Sequence, residues 1–268
     1  MAADLDAPSP SAMPAWPWPR WIAHRGAGKL APENTLAAFE LGWRHGWRAF
    51  ECDVKLSADG VPFLLHDATL QRTTNGHGIA GELAWDALAR LDAGGWHSPA
   101  FAGEPLLRLD RLVAWALPRG ALLNLEIKPT PGTEAATGAA VAQAVDALWR
   151  DHGAGTPGGP PWPLLTSFQP VALQAAQATC PHLPRGLLLD TLWPGCWAVA
   201  RSLGCVAVVL NHRLWTRTLL QQQRAAGYRT LAYTVNHARR AEQLLRWGLD
   251  AVISDRIDAL GPGASAAG

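Results

Sequence analysis

Glu51-Cys52-Asp53-Val54-Lys55-Leu56-Ser57-Ala58-Asp59-Gly60-Val61-Pro62-Phe63-Leu64-Leu65-His66-Asp67 is the stretch from which the architecture is read. Polar and apolar side chains alternate over its first half, the period of an extended strand. Glu51, Asp53 and Lys55 therefore share one face, and Cys52, Val54 and Leu56 the other. Two carboxylates two residues apart on one buried strand face cannot both lose water cheaply as anions, and a cation between them removes the conflict. Asp59-Gly60 predicts a two-residue hairpin turn. Counting back from it pairs Ala58 with Val61 and sets His66 opposite Asp53, so a histidine is delivered beside the carboxylate pair.

Upstream, Trp21-Ile22-Ala23-His24-Arg25-Gly26 reads as a short buried strand ending in polar residues. Gly26-Ala27-Gly28 follows as a loop that a ligand can approach closely. Asn34-Thr35 marks a helix start, with Leu36, Phe39 and Trp43 at helical spacing. Downstream, 68–108 has poor periodicity and reads as an insertion over one mouth of the domain, with a short helix at 84–91. From 109 onward helices and strands alternate: strands at 122–128, 164–168, 186–190, 206–210, 230–235 and 251–254, helices at 109–117, 138–149, 170–178, 197–203, 216–226 and 238–247. Without the hairpin return at 61–65 this makes eight strands. Eight such units over about 250 residues predict an α/β fold, a (β/α)8 TIM barrel with a small insertion after the second strand. An open doubly wound sheet is the alternative, disfavoured because no Gly-x-Gly-x-x-Gly follows the first strand. The expected organisation is a flexible Pro-rich arm at 1–19, one catalytic domain at 20–260 and a disordered tail at 261–268. Trp16 and Trp18 of the arm are expected on the barrel exterior.

Composition narrows the function classes. The chain carries 23 basic and 22 acidic residues among 268, which leaves no electrostatic footprint for nucleic acid or an anionic membrane. Cys52, Cys180, Cys196 and Cys205 lack metal-ligand spacing and read as reduced, packed thiols. No signal-peptide pattern opens the chain and no apolar run is long enough for a membrane span, so the expected location is cytoplasmic.

In a barrel of this type the active site lies at the C-terminal ends of the strands. His24-Arg25, Glu51 with Asp53, and Glu126 with Lys128 all fall at such ends, and the hairpin adds His66. Three carboxylates suit one hard divalent ion, Mg2+ or Ca2+, better than zinc. Two histidines outside the ligand set can carry protons near neutral pH. Arg25 and Lys128 then call for an anionic ligand, with phosphate the natural one. Metal, cations and two proton carriers together point to hydrolysis of a phosphodiester. Each part alone has a plainer reading: Glu126 and Lys128 can be a structural ion pair, and a histidine at a strand end can be a structural hydrogen-bonding residue. The combination carries the inference. Trp96 in the insertion is a candidate lid residue, and His77, His97 and His212 are left open.

The chain resembles the glycerophosphodiester phosphodiesterases, close to the soluble cytoplasmic bacterial type. The resemblance rests on His24-Arg25-Gly26 with Ala31-Pro32-Glu33-Asn34-Thr35-Leu36, on Glu51-Cys52-Asp53-Val54 and on His66-Asp67. It continues through Leu70-Gln71-Arg72-Thr73-Thr74, Leu125-Glu126-Ile127-Lys128, Tyr233-Thr234-Val235-Asn236 and Ile253-Ser254-Asp255-Arg256. It implies a TIM barrel with Glu51, Asp53 and Glu126 as metal ligands, His24 and His66 as general acid and base, and Arg25 and Lys128 on phosphate. Tyr233 and Asn236 are possible substrate contacts; the family usually has Trp at the former, and usually Pro-Thr at Leu107-Arg108. The implied reaction releases sn-glycerol 3-phosphate and an alcohol from a small-molecule glycerophosphodiester. A lysophospholipid phosphodiesterase on the same scaffold is the alternative, as is a non-catalytic barrel that binds glycerol phosphates. Head-group preference and oligomeric state are not expressed in the sequence.

Overall fold

Alternation decides which way each strand side chain faces, and closure of the sheet turns the two faces into an inside and an outside. The computed structural model describes residues 16–262. Its strands are β1 (Trp21–Ala23), β2 (Ala49–Leu56), β3 (Pro62–Leu64), β4 (Leu122–Ile127) and β5 (Leu164–Ser167), then β6 (Arg185–Leu189), β7 (Ala207–Asn211), β8 (Arg229–Tyr233) and β9 (Ala251–Ser254). All but β3 pair in parallel, and β1 lies between β9 and β2, which closes an eight-stranded barrel. The helices α1 (Leu36–Arg44), α2 (Trp85–Leu88), α3 (Leu109–Ala116), α4 (Glu134–Asp151), α5 (Pro170–Thr179), α6 (Cys196–Ser202), α7 (Arg217–Ala225) and α8 (Ala238–Arg246) lie between strands. This is the (β/α)8 architecture that the alternation predicts; the open sheet is excluded by the β1–β2 and β1–β9 pairs. Among the described residues no helix is long and apolar enough to cross a membrane.

The outward-facing set, including Phe50, Cys52, Val54, Leu123, Leu125 and Leu187, packs against the helices in one large core. The inward-facing set, Ile22, Ala49, Leu164, Leu188, Val209 and Leu231 among them, forms a second cluster inside the barrel. All four cysteines are buried and free, as the packed-thiol reading requires. A third, smaller cluster joins Phe63 and Leu65 of the hairpin to Leu70, Leu88 and Leu106 of the insertion. The insertion is tied back to β3 by Leu64, whose amide donates to Leu107 O at 2.8 Å.

Three expectations need correction. The hairpin connection has three residues, not two: Val54 pairs with Leu64 and Lys55 with Phe63. Ser57 N donates to Val61 O, and Gly60 takes φ +80°. That positive φ is the extra residue of a bulged three-residue loop, which Asp-Gly serves as well as a two-residue one. Asp53 consequently faces Leu65 (Leu65 N to Asp53 O, 3.1 Å), one position short of His66. Trp16 and Trp18 are not on the barrel exterior. They stack at 5.6 Å and pack against the inward-facing cluster, with Arg229, the first residue of β8, over the Trp16 ring. An inner core open at its N-terminal end exposes apolar surface, and two indoles cover it. Helix α4 starts at Glu134, four residues before the expected 138; Gly138, read as its boundary, lies inside it, where the missing Cβ lets Ala172 O of α5 approach closely. The arm at 1–15 and the tail at 263–268 lie outside the described residues.

Candidate active site

Inside the barrel the side chains change character along the strands. The N-terminal half is apolar, while Glu51, Asp53, Asn124, Glu126 and Thr166 fill the C-terminal half and are all buried. The parallel register places Asp53 beside Glu126 and Glu51 beside Asn124. One oxygen from each of Glu51, Asp53 and Glu126 therefore falls within 4.8 Å of the others, although the three carboxylates are 7% exposed or less. His24, Glu51 and Glu126 line the barrel mouth together with Phe168 and Tyr233.

Burial, then Asp53, then Glu126 push the Glu51 carboxyl well above the usual range. Burial and the Asp53 charge raise Glu126 to about 7, against the pull of Lys128. Burial acts upward on Asp53 too, but Arg25, Lys128, His66 and the Asn34 amide outweigh it and hold Asp53 down at about 2. So one carboxylate is firmly ionised and two resist ionisation, the conflict that a bound cation removes. Asp53 Oδ1 is buried without a hydrogen-bond partner, its nearest cation being Lys128 Nζ at 3.7 Å. A buried carboxylate with one oxygen left without a donor, clustered with two other acidic side chains, fits a hard divalent ion.

The cations sit around this group. Lys128 Nζ donates to Glu126 Oε1 at 2.7 Å and lies 5.4 Å from the Phe168 ring centroid. Arg25 Nε is 3.2 Å from Asp53 Oδ2, and its backbone N–H donates to Glu51 Oε2 at 3.2 Å. Lys55, also facing inward, donates to Lys128 O at 3.0 Å. Burial is the main cause that brings Lys55 down to about 8.

The loop after β1 is held in an unusual backbone form, with Arg25 at φ +51° and Asn34 at +62°. Left-handed non-glycine residues need compensation. Asn34 obtains it from Asp53 on both ends of its amide: Nδ2 donates to Oδ2 at 2.9 Å, and Asp53 N donates to Oδ1 at 3.2 Å. Thr35 then caps α1 by accepting from Ala38 N.

His24 and His66 each have a carboxylate on Nδ1. His24 Nδ1 pairs with Asp255 Oδ1 at 2.5 Å, and Nε2 points to Glu51 Oε2 at 3.6 Å. A carboxylate on Nδ1 keeps the proton there and turns the Nε2 lone pair toward the mouth. Asp255 follows β9, the neighbour of β1, and Asn236 Nδ2 donates to its Oδ2 at 2.8 Å. Burial raises the Asp255 carboxyl, but His24 and Asn236 bring it to about 2. His66 Nδ1 pairs with Asp67 Oδ1 at 2.6 Å. Burial, with Arg25 and Lys128, lowers its pKa, while Asp53 and Asp67 act the other way. Asp53 and His66 each act on the other's pKa, so the ring senses the carboxylate charge despite the shifted register.

Of the remaining candidates, Tyr233 lines the mouth edge-on to Phe168 at 5.6 Å. The Asn236 amide is engaged by Asp255 on both sides, which sets it behind His24. Trp96 is 41% exposed on the insertion and bonds to Ala93 O. His97 Nε2 meets Lys29 O at 3.1 Å, so it ties the insertion to the loop after β1. Roles for Asp255, Asn34, Glu33, Asp67 and Arg72 are not read from the sequence. Barrel closure holds a signal for Asp255, since the last strand must lie beside the first; the others depend on loop conformation.

The sequence profile of the glycerophosphoryl diester phosphodiesterase family matches residues 24–259. A glycerophosphodiester phosphodiesterase of Caldanaerobacter subterraneus is 28% identical over 89% of this chain and 95% of its own length. Among solved structures, an Oleispira antarctica phosphodiesterase in complex with the product sn-glycerol-3-phosphate superposes with a TM-score of 0.81 at 35% identity, over 88% of this chain and 93% of that one. A glycerophosphodiester phosphodiesterase from Agrobacterium tumefaciens has a TM-score of 0.72 at 27% identity, over 89% and 97% of the two chains.

Proposed function

The chain belongs to the glycerophosphoryl diester phosphodiesterase family, and from that premise we propose that it hydrolyses glycerophosphodiesters to sn-glycerol 3-phosphate and an alcohol with a divalent cation at the barrel mouth. The observation that carries this reading is the set of three buried carboxylates, one oxygen of each within 4.8 Å of the others, with the Glu51 carboxylate 3.6 Å from His24 Nε2. Glu51, Asp53 and Glu126 would hold Mg2+ or Ca2+, which when bound supplies positive charge to a phosphate oxygen. Arg25 and Lys128 share the phosphate's negative charge. One histidine takes the proton of the attacking oxygen at Nε2, and the other returns a proton to the leaving alkoxide. A carboxylate on Nδ1 leaves the Nε2 of the base free to accept that proton, and on the other ring it stabilises the doubly protonated imidazolium that donates from Nε2. The similarity to a relative bound to sn-glycerol-3-phosphate supports the glycerol phosphate half of the substrate.

The test is purified protein with glycerophosphocholine, glycerophosphoethanolamine and a lysophospholipid, with and without chelator, reading released head-group alcohol from all three and glycerol 3-phosphate from the first two. Chelator-sensitive release from the first two is expected. Preference for the lysophospholipid moves the substrate to membrane lipids, and no release from any of them leaves a binding barrel. His24→Ala and His66→Ala are each expected to abolish turnover with metal binding retained, as read by calorimetry. Persistent turnover in both removes the histidines from the mechanism.

A further inference from the structure

Outside the proposed ligand set, a chain of ion pairs runs beside the site from Arg25 to His66. Arg25 NH1 donates to Glu33 Oε1 at 2.8 Å. Arg72 grips the same carboxylate with two nitrogens, NH1 to Oε2 and NH2 to Oε1, both at 2.8 Å. From its other edge Arg72 reaches Asp67, Nε to Oδ2 at 2.5 Å and NH2 to Oδ1 at 3.1 Å. Asp67 holds His66 Nδ1. The sequence from Arg25 to His66 is therefore unbroken, and its members come from two segments of chain: the loop after β1 (Arg25, Glu33) and the start of the insertion (His66, Asp67, Arg72).

His66 has no strand ladder to fix it. β3 ends at Leu64, and the last ladder bond, Leu65 N to Asp53 O, stops one residue earlier. Its ring is oriented through Asp67, and Asp67 has no other side-chain donor than His66 and Arg72 among the described residues. A guanidinium that forks onto two carboxylates at once is a rigid planar connector, a geometry no lysine reproduces.

We propose that Arg72 is a positioning residue for the phosphodiesterase reaction: it clamps Glu33 to Asp67, and so fixes the His66 ring and the Arg25 guanidinium relative to each other. The proposal rests on the functional reading above and adds to it a residue that touches neither substrate nor metal. With Arg72 in place, Asp67 presents one oxygen to His66 Nδ1 and Nε2 stays free for proton transfer. Without it, Asp67 can rotate and the ring can exchange tautomers. The insertion and the β1 loop also lose a tie between them.

Arg72→Ala is expected to lower kcat by about 10–100-fold, the loss typical when a reacting group is misplaced by about an ångström, with KM changed less than about threefold. Two readouts separate positioning from folding. Ring-nitrogen NMR of the full-length protein should show His66 as the Nδ1–H tautomer in the parent and a mixture in Arg72→Ala, with His24 unaltered. Because Arg72 is 43% exposed at its side chain, millimolar guanidinium should restore part of the lost kcat, while equal KCl should not. Arg72→Lys keeps the charge without the fork and should remain impaired. Arg90→Gln, on the insertion surface, serves as a control and should retain parent activity. Parent-like kcat in Arg72→Ala, or a fixed His66 tautomer with no guanidinium rescue, overturns the proposal. If the parent itself shows no phosphodiesterase activity, the underlying functional reading fails instead, and the tautomer measurement still decides whether Arg72 orients His66.

Discussion

The three acidic side chains are not equivalent, although all three are proposed to hold one ion. Asp53 is ionised, flanked by Arg25 and Lys128, while burial drives Glu51 and Glu126 toward the protonated form. Asp53→Asn removes the one firm anion and leaves Arg25 and Lys128 without their shared partner. It should weaken divalent-ion affinity by at least about tenfold, on the scale of about 1.4 kcal/mol per factor of ten, as measured by calorimetry. Unchanged activation by Mg2+ or Ca2+ contradicts the ligand role. Asp255 is a different kind of residue, since it meets His24 at Nδ1, away from the mouth. Asp255→Ala should cut kcat by about 100-fold through loss of tautomer and orientation, with metal affinity little changed. Equal losses in both quantities would show that Asp255 supports the whole mouth rather than one ring.

At the scale of the element, the loop between β1 and α1 works as a single formed unit. Gly28 takes φ +57°, and a Cβ there would lie 2.1 Å from Asp255 O, a backbone atom that cannot step aside. Gly28→Ala should therefore push Asp255 away from His24. A stability loss of about 1–3 kcal/mol is expected from strain and overpacking, with a larger proportional loss of kcat; denaturant titration and steady-state kinetics check the two separately. The hairpin shows the complementary case. Gly60 also has positive φ, +80°, but nothing lies near its Cβ. Gly60→Ala should cost only about 1 kcal/mol, the left-handed penalty alone, and leave activity intact. Alternation made β2 and β4 legible, because a period of two is a local property. Whether the loop has two residues or three was not, because Asp-Gly supports both and the choice falls to packing of Phe63 and Leu65 into the insertion core.

For the whole molecule, the site exacts a pH-dependent cost that metal should remove. Glu51 and Glu126 have folded-state pKa values raised above those of the unfolded chain, Glu126 to about 7. Their protonated forms stabilise the metal-free protein fully below about pH 4.5, and that stabilisation is lost as pH rises through the folded values. The Tm of chelator-treated protein should therefore fall between pH 5 and pH 8. Added Mg2+ or Ca2+ should raise Tm more at pH 8 than at pH 5, because ligand carboxylates must be ionised to bind. A metal-induced shift that is equal at both pH values would place the ion elsewhere. At the opposite end of the barrel, Trp16 and Trp18 cover the inner cluster. Trp18→Ala should lower stability by about 2 kcal/mol, less than a fully buried Trp, without affecting kcat.

The sequence by itself determined the eight βα units, the faces of β2 and β4, and the types of residue that meet at the mouth. Each of these follows from periodicity or from side-chain chemistry, and both can be read one segment at a time. Only the tertiary structure decided the hairpin register, the inward placement of the two N-terminal tryptophans, and the partners of each histidine. Asp255 reaches His24 from 231 positions away, and Arg72 reaches Glu33 from 39. Contacts at that separation come from closure of the barrel and from left-handed loop residues such as Arg25 and Asn34, and no local pattern along the chain encodes them.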